Sequence, residues 1–165
     1  MTQRVYRVFE PEEKQRIASR ILHALPDWFE VPESRQTYID ECAEQPVWAA
    51  GENGAPIGFI ALAQTAPKAA ELRVMGVLPE HHRQGIGRQL FAALYAHCQE
   101  QGVDFLQVKT LAAGCDEGFD RTRLFYESLG FCPLEVFPTL WDEKNPCLQM
   151  VMAVGKTMSI KTARD

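Results

Sequence analysis

Long apolar runs are missing from this sequence. No run exceeds seven residues, and one of these, Ile57 to Ala63, is interrupted by Gly58. A helix crossing a bilayer needs about 20 apolar residues, so no membrane span is expected. Met1 to Glu13 is charged and has no apolar h-region, so no secretory signal is expected either. Positive charge is also scarce: 17 Lys plus Arg stand against 22 Asp plus Glu, a net charge of −5. A nucleic-acid binder usually carries a basic stripe, and that class is disfavoured. No CxxC occurs among the five cysteines, Cys42, Cys98, Cys115, Cys132 and Cys147, and no two fall within ten residues of each other. Zinc-finger and thioredoxin-like patterns are therefore absent. Reduced thiols in a cytoplasm are the simplest expectation. Internal repeats and low-complexity segments are absent too.

What remains is an ordinary globular composition, 46% hydrophobic and 24% charged over 165 residues. Such a length predicts one domain, here residues 1–155, with a frayed tail over 156–165. Charge is unevenly spread. Residues 26–45 hold six acids (Asp27, Glu30, Glu33, Asp40, Glu41, Glu44) against one base, Arg35. Residues 81–88 hold His81, His82, Arg83 and Arg88 and no acid. One region favours a cation and the other an anion. His81 and His82 are adjacent and have no evident third partner, so no metal site is expected.

Periodicity gives the element order. Val5 to Phe9 alternates like a strand. Pro11-Glu12-Glu13 opens a helix whose apolar face is Ile17, Ile21, Leu22 and Leu25, stopped by Pro26. Glu33 to Cys42 is a second, acidic helix. Val47–Ala50 and Pro56–Ala63 read as strands around the turn Gly51-Glu52-Asn53-Gly54. Ala70 to Leu78 is a strand with Leu72, Val74 and Leu78 on one face and Glu71 and Arg73 on the other. Gln84 to Gln101 is a helix with a stripe at Ile86, Leu90, Leu94 and Cys98, closed by Gly102. Val103–Leu111 is a strand, 112–119 a loop, and Thr122–Leu129 a short helix. Two strands, Cys132–Phe137 and Cys147–Val154, flank a polar link over Trp141–Pro146. The order β-α-α-β-β-β-α-β-α-β-β predicts an α+β fold around a mixed sheet.

Leu72 to Leu90, LRVMGVLPEHHRQGIGRQL, carries the most information. Gly85 and Gly87 let a ligand approach the backbone. The first N–H groups of the following helix lack intrahelical partners and, with the macrodipole, attract an anion. His82, Arg83 and Arg88 add positive charge, so phosphate is the expected guest. The segment is not a P-loop, because no glycine precedes Lys and then Ser or Thr. It is not a dinucleotide fingerprint either, because Leu90 stands at the third glycine position.

His82-Arg83-Gln84-Gly85-Ile86-Gly87 resembles the acetyl-CoA loop, [Q/R]-x-x-G-x-[G/A], of the GCN5-related N-acetyltransferase (GNAT) family, with His82 departing from the usual Gln or Arg. Downstream, Arg123-Leu124-Phe125-Tyr126-Glu127-Ser128-Leu129-Gly130-Phe131 resembles that family's FYexLGF segment. Leu25–Phe29 and Trp141–Cys147 resemble marks of an uncharacterised bacterial subgroup. The resemblance covers roughly residues 5–154. It implies a twisted mixed sheet of six or seven strands flanked by about four helices, its central strands splayed for acetyl-CoA. It implies that Met75, Val77, His82, Arg83, Gln84, Gly85, Ile86, Gly87, Arg88 and Tyr126 bind this co-substrate.

It also implies direct acetyl transfer to a primary amine. A lysine-like ammonium (pKa about 10.4) must lose its proton, about 4.6 kcal/mol uphill at pH 7. Glu71, in Ala70-Glu71-Leu72, matches the base position of the histone-acetylating branch; the competing reading is a solvated carboxylate. The Val77 N–H is the expected donor to the thioester oxyanion, with Gly76 compatible with a bulge. Tyr126 is the expected acid at the sulfur, against a packing role. Asp27, Trp28, Phe29 and Trp141 are expected at the acceptor pocket. The acidic 26–45 stretch points to a small cationic amine, such as a polyamine, aminoglycoside or amino-acid derivative. The alternatives are a non-catalytic CoA sensor and a protein lysine or N-terminal acetyltransferase. The family also allows a homodimer, for which the sequence shows no interface pattern.

Overall fold

Proline and acids at its start set the first helix. A computed structural model describes residues 4–52 and 54–155. In it, α1 (Pro11–His23) carries Pro11 in its first turn with Glu12 and Glu13 beside it. Ile17, Ala18, Ile21 and Leu22 form its buried face. The helix ends at His23, short of the expected Leu25. Ala24 and Leu25 instead donate to the carbonyls of Ile21 and Leu22, three residues back. Trp28 and Phe29 both donate to the Leu25 carbonyl, curling 25–29 into a turn.

The other elements are β1 (Arg4–Val8), α2 (Pro32–Cys42), β2 (Val47–Glu52), β3 (Ala55–Ala66), β4 (Ala69–Val77), a 3-10 turn (Pro79–His81), α3 (Ile86–Glu100), β5 (Phe105–Leu111), α4 (Glu117–Leu129), β6 (Cys132–Asp142) and β7 (Asn145–Ala153). Among the described residues the sheet has seven strands in the order β1-β2-β3-β4-β5-β7-β6. With four helices among the described residues, this is the mixed α+β architecture expected. The residues divide into two compact units. One comprises the described residues up to Ala63 with Leu72–Ala96, and the other Gln64–Glu71 with those from His97 onward.

In the first unit, β1, β2 and β3 pair antiparallel, with a register shift at Ala50/Gly51. Gly51 has φ +154°, and a Cβ there would lie 2.4 Å from the Ala55 carbonyl oxygen, so only glycine fits the bulge. Asn53 of the expected turn lies outside the described residues, as does the tail from 156. β3 is buried on both faces from Pro56 to Leu62, which explains its continuous apolar run. Phe59, Ile60 and Leu72 are among the fully buried side chains of this unit.

In the second unit, β4 and β5 run parallel, from Ala69↔Phe105 to Glu71↔Gln107. β7 pairs antiparallel with β5 and with β6. Leu106, Val108 and Met150 are fully buried. Two expectations are corrected here. The helix α4 starts at Glu117, five residues before the expected Thr122, because Asp116 Oδ1 accepts from the Phe119 N–H and caps it. The link over Trp141–Pro146 is a tight hairpin. Asp142 Oδ1 accepts from the Lys144 and Asn145 N–H groups, so β6 and β7 run right up to the turn.

Candidate functional site

The first unit carries the glycine loop. After the 3-10 turn the chain is extended at His82, then left-handed at Arg83 (φ +63°) and Gly85 (φ +80°). Residues 82–85 are exposed. A Cβ on Gly85 would meet nothing nearer than the Gln89 side-chain nitrogen at 3.9 Å, so the loop opens outward. The helix starts at Ile86, two residues later than expected, and the Gly85 carbonyl accepts from the Gln89 N–H. Ile86 is buried and anchors the helix start, whereas Arg88 is exposed. Left-handed residues ahead of a helix N-terminus turn successive N–H groups toward one point, the geometry of an anion nest. The residues present therefore fit a phosphate-bearing ligand.

Val77 ends β4 and is half-buried, as is Met75. Its carbonyl accepts a hydrogen bond from His82 Nε2 at 2.7 Å. The next N–H, of Leu78, donates to the Ile57 carbonyl at 2.8 Å. The Val77–Leu78 peptide is thus held at both ends. Gly76, the residue before Val77, is buried. A Cβ there would lie 2.9 Å from both Ile21 and Leu25, so glycine is needed for α1 to approach the strand.

Trp28 and Phe29 are half-buried and Asp27 is exposed. The Trp28 ring packs edge-on against His82, with centroids 5.9 Å apart. Phe29 packs edge-on against Tyr38 at 5.9 Å, and its carbonyl accepts from Arg35 Nη1 at 2.9 Å. Arg73 lies 4.9 Å over the Tyr38 ring and donates to both carboxylate oxygens of Glu41, at 2.8 and 3.3 Å. Tyr38, Arg73 and Glu41 were not foreseen as a cluster. The one available signal was Arg73, a cation on a strand face shared with Glu71. Glu41 is committed to Arg73, so the acids exposed on this stretch are Asp27, Glu30, Glu33, Asp40 and Glu44.

The second unit holds Glu71, Tyr126 and Trp141. Glu71 is only 6% exposed, which overturns the reading of a solvated carboxylate. Its Oε2 accepts from Lys109 Nζ at 3.1 Å. Lys109 follows Gln107, the register partner of Glu71, by two residues on β5 and so presents the same face. Burial pushes the nearby Cys147 thiol up; Lys109 opposes this shift and Glu71 adds to it. Tyr126 on α4 is 8% exposed, with the Phe125 and Phe131 rings each 5.9 Å away. Gly130, at φ +115°, ends that helix and returns the Phe131 N–H to the Tyr126 carbonyl. Trp141 is exposed on β6. Beside it, the Asn145 side chain, followed by backbone N–H groups, holds the Asp142 carboxyl below its ordinary range.

A sequence model of the Acetyltransferase (GNAT) domain matches residues 43–133. The uncharacterised N-acetyltransferase CT2212 of Chlorobaculum tepidum is 31% identical over 118 residues, 70% of this chain and 69% of that protein. Among solved structures, a protein of Desulfovibrio desulfuricans assigned to the GNAT acetyltransferases superposes with TM-score 0.79 at 19% identity, over 93% of this chain and all of that one. An aminoglycoside 6'-N-acetyltransferase complexed with coenzyme A superposes with TM-score 0.71 at 18% identity, over 96% of this chain and 99% of that one. At these identities the superpositions speak to the fold alone. No helix among the described residues is long and apolar enough to cross a membrane.

Proposed function

The chain belongs to the GNAT family of N-acetyltransferases, enzymes that take acetyl-CoA as co-substrate, and we propose that it transfers the acetyl group directly to a small cationic primary amine. The observation that carries the acetyl-CoA assignment to particular residues is the outward-facing loop 82–87. Its left-handed Arg83 and Gly85 lead into the N-terminus of α3. Backbone N–H groups of Gln84, Gly85, Ile86 and Gly87 would hold the pyrophosphate, with Arg83 and Arg88 contributing charge. Met75 and Val77 would flank the pantetheine arm.

The remaining roles follow the chemical needs of the transfer. Glu71 takes the amine proton, directly or through water, at Oε1, since Lys109 occupies Oε2. The Val77 N–H, on the peptide just before the clamped 77–78 one, donates to the thioester carbonyl oxygen as negative charge gathers there. The Tyr126 hydroxyl supplies a proton to the departing sulfur. The turn carrying Asp27, Trp28 and Phe29 receives the acceptor, and the exposed Trp141 is a further candidate acceptor contact. Five exposed acids between residues 27 and 44 favour a cation there.

The test pairs calorimetry of acetyl-CoA binding with free-thiol release across polyamines, aminoglycosides, neutral and acidic amines, and lysine- or N-terminus-bearing peptides. Binding together with the fastest release on a small polycation is expected. Faster release on an acidic or neutral amine would sink the cationic assignment, and turnover of peptides alone would move the acceptor to proteins. No binding would remove the loop assignment itself.

A further inference from the structure

His82 stands where the family's loop usually has Gln or Arg, and its ring makes two contacts at once. The Val77 carbonyl can only accept, so Nε2 carries the hydrogen in the 2.7 Å bond. The same ring meets the edge-on Trp28 indole at 5.9 Å. The Trp28 backbone N–H donates to the Leu25 carbonyl, so the residue that carries this indole is built into the turn 25–29.

We infer that His82 is a positioning residue that links the cofactor loop to the acceptor turn: one imidazole fixes the Val77–Leu78 peptide and seats Trp28. The inference rests on the acetyl-CoA reading of the loop and adds to it a route for coupling. A ligand gripped by the N–H groups beside His82 shifts or stiffens the ring, and Trp28 registers that change directly. Occupancy of the cofactor loop is thereby transmitted to the surface where the amine docks, and by linkage the reverse holds equally.

The two contacts can be separated chemically. His82→Gln keeps an N–H for the Val77 carbonyl but loses the ring. His82→Phe keeps the ring but loses the donor. The experiment titrates coenzyme A into the native chain and each variant, reading heat and tryptophan emission on folded samples matched by circular dichroism. Trp28→Phe isolates the Trp28 signal from Trp48 and Trp141. In the native chain coenzyme A is expected to change the emission, and Trp28→Phe to remove that change. The variants should then cross over. His82→Phe should bind coenzyme A about fivefold more weakly than His82→Gln, as expected for one hydrogen bond. His82→Phe should retain the Trp28 response, and His82→Gln should lose more than half of it. Coenzyme A heat without any Trp28 response, or the same behaviour in both variants, would overturn the inference. Absence of heat in the native chain would instead overturn the loop assignment beneath it.

Discussion

Lys109 Nζ donates to Glu71 Oε2 at 3.1 Å from the neighbouring parallel strand, and Glu71 is the more buried partner. The base role proposed for Glu71 predicts a pH-dependent defect. Glu71→Gln should lower the maximal rate most at about pH 6, where nearly all of the amine is protonated, and least at about pH 9. A ratio of variant to native rate that is flat across that range would remove the base role. The pair also bears on stability. Lys109→Met leaves a buried carboxylate without its partner and should cost about 1–3 kcal/mol. The shift of the urea unfolding midpoint measures it.

Tyr126 has a packing role and a proposed chemical one, and a single substitution separates them. Its ring lies against Phe125 and Phe131 in a site that is 8% exposed. Tyr126→Phe keeps that ring and deletes only the hydroxyl. The maximal rate should fall about 100-fold, the lower range for loss of a general acid. The KM for acetyl-CoA should move much less. A raised KM with an intact rate would mark a binding residue instead.

Features written in local periodicity were legible in the sequence. The apolar positions Leu72 and Val74 of β4 and the stripe Ile86, Leu90, Leu94, Cys98 are buried as the pattern requires. The left-handed Gly85, Gly102 and Gly130 sit where glycine signals a loop or a helix end. Failures came where one side chain rewrote a boundary. Asp116 lies in a run of small and polar residues that reads as loop, yet its carboxylate starts α4. Asp142 likewise tightens a polar link into a hairpin. Contacts between distant positions could not be read at all. Arg73 and Glu41 are 32 positions apart, and nothing in either neighbourhood announces the pair. The Glu71–Lys109 pair, 38 positions apart, became visible only with the parallel register of β4 and β5.

Gly76 meets Ile21 and Leu25 at close range, and that contact makes a sharp prediction. A Cβ at this position would lie 2.9 Å from Ile21 Cγ2 and Leu25 Cδ1, closer than side chains tolerate. Both belong to the core, being 0% and 3% exposed, so neither can swing away. Gly76→Ala should therefore destabilise the chain by about 1–3 kcal/mol through overpacking. It should also displace Val77, whose N–H is assigned to the thioester oxygen. The rate, measured well below the melting temperature, should drop more than the acetyl-CoA affinity. A destabilised variant with native kcat would show that Val77 tolerates the shift and would weaken its assignment.

The five cysteines divide by burial, and the division sets both their reactivity and an alkaline limit on stability. Cys115 and Cys132 are exposed, whereas Cys42, Cys98 and Cys147 are buried. Burial pushes the Cys42 thiol up to about 12 and the Cys98 thiol up to about 11, from an ordinary 9.0. Since the thiolate is the nucleophile, a maleimide at neutral pH should label two thiols quickly and the other three only on unfolding. The same shift has a thermodynamic sign. A thiol ionises more readily in the unfolded chain, which therefore binds fewer protons above about pH 9 than the folded one. The stability tied to these protonated thiols is complete below that pH and drains away as pH climbs toward 11 and 12. Thermal melts at about pH 8 and 10 should show the decline. Cys42→Ala should start lower, having lost a buried side chain, yet fall less between the two. Equal falls in the native chain and the variant would mean that other groups govern the alkaline limit.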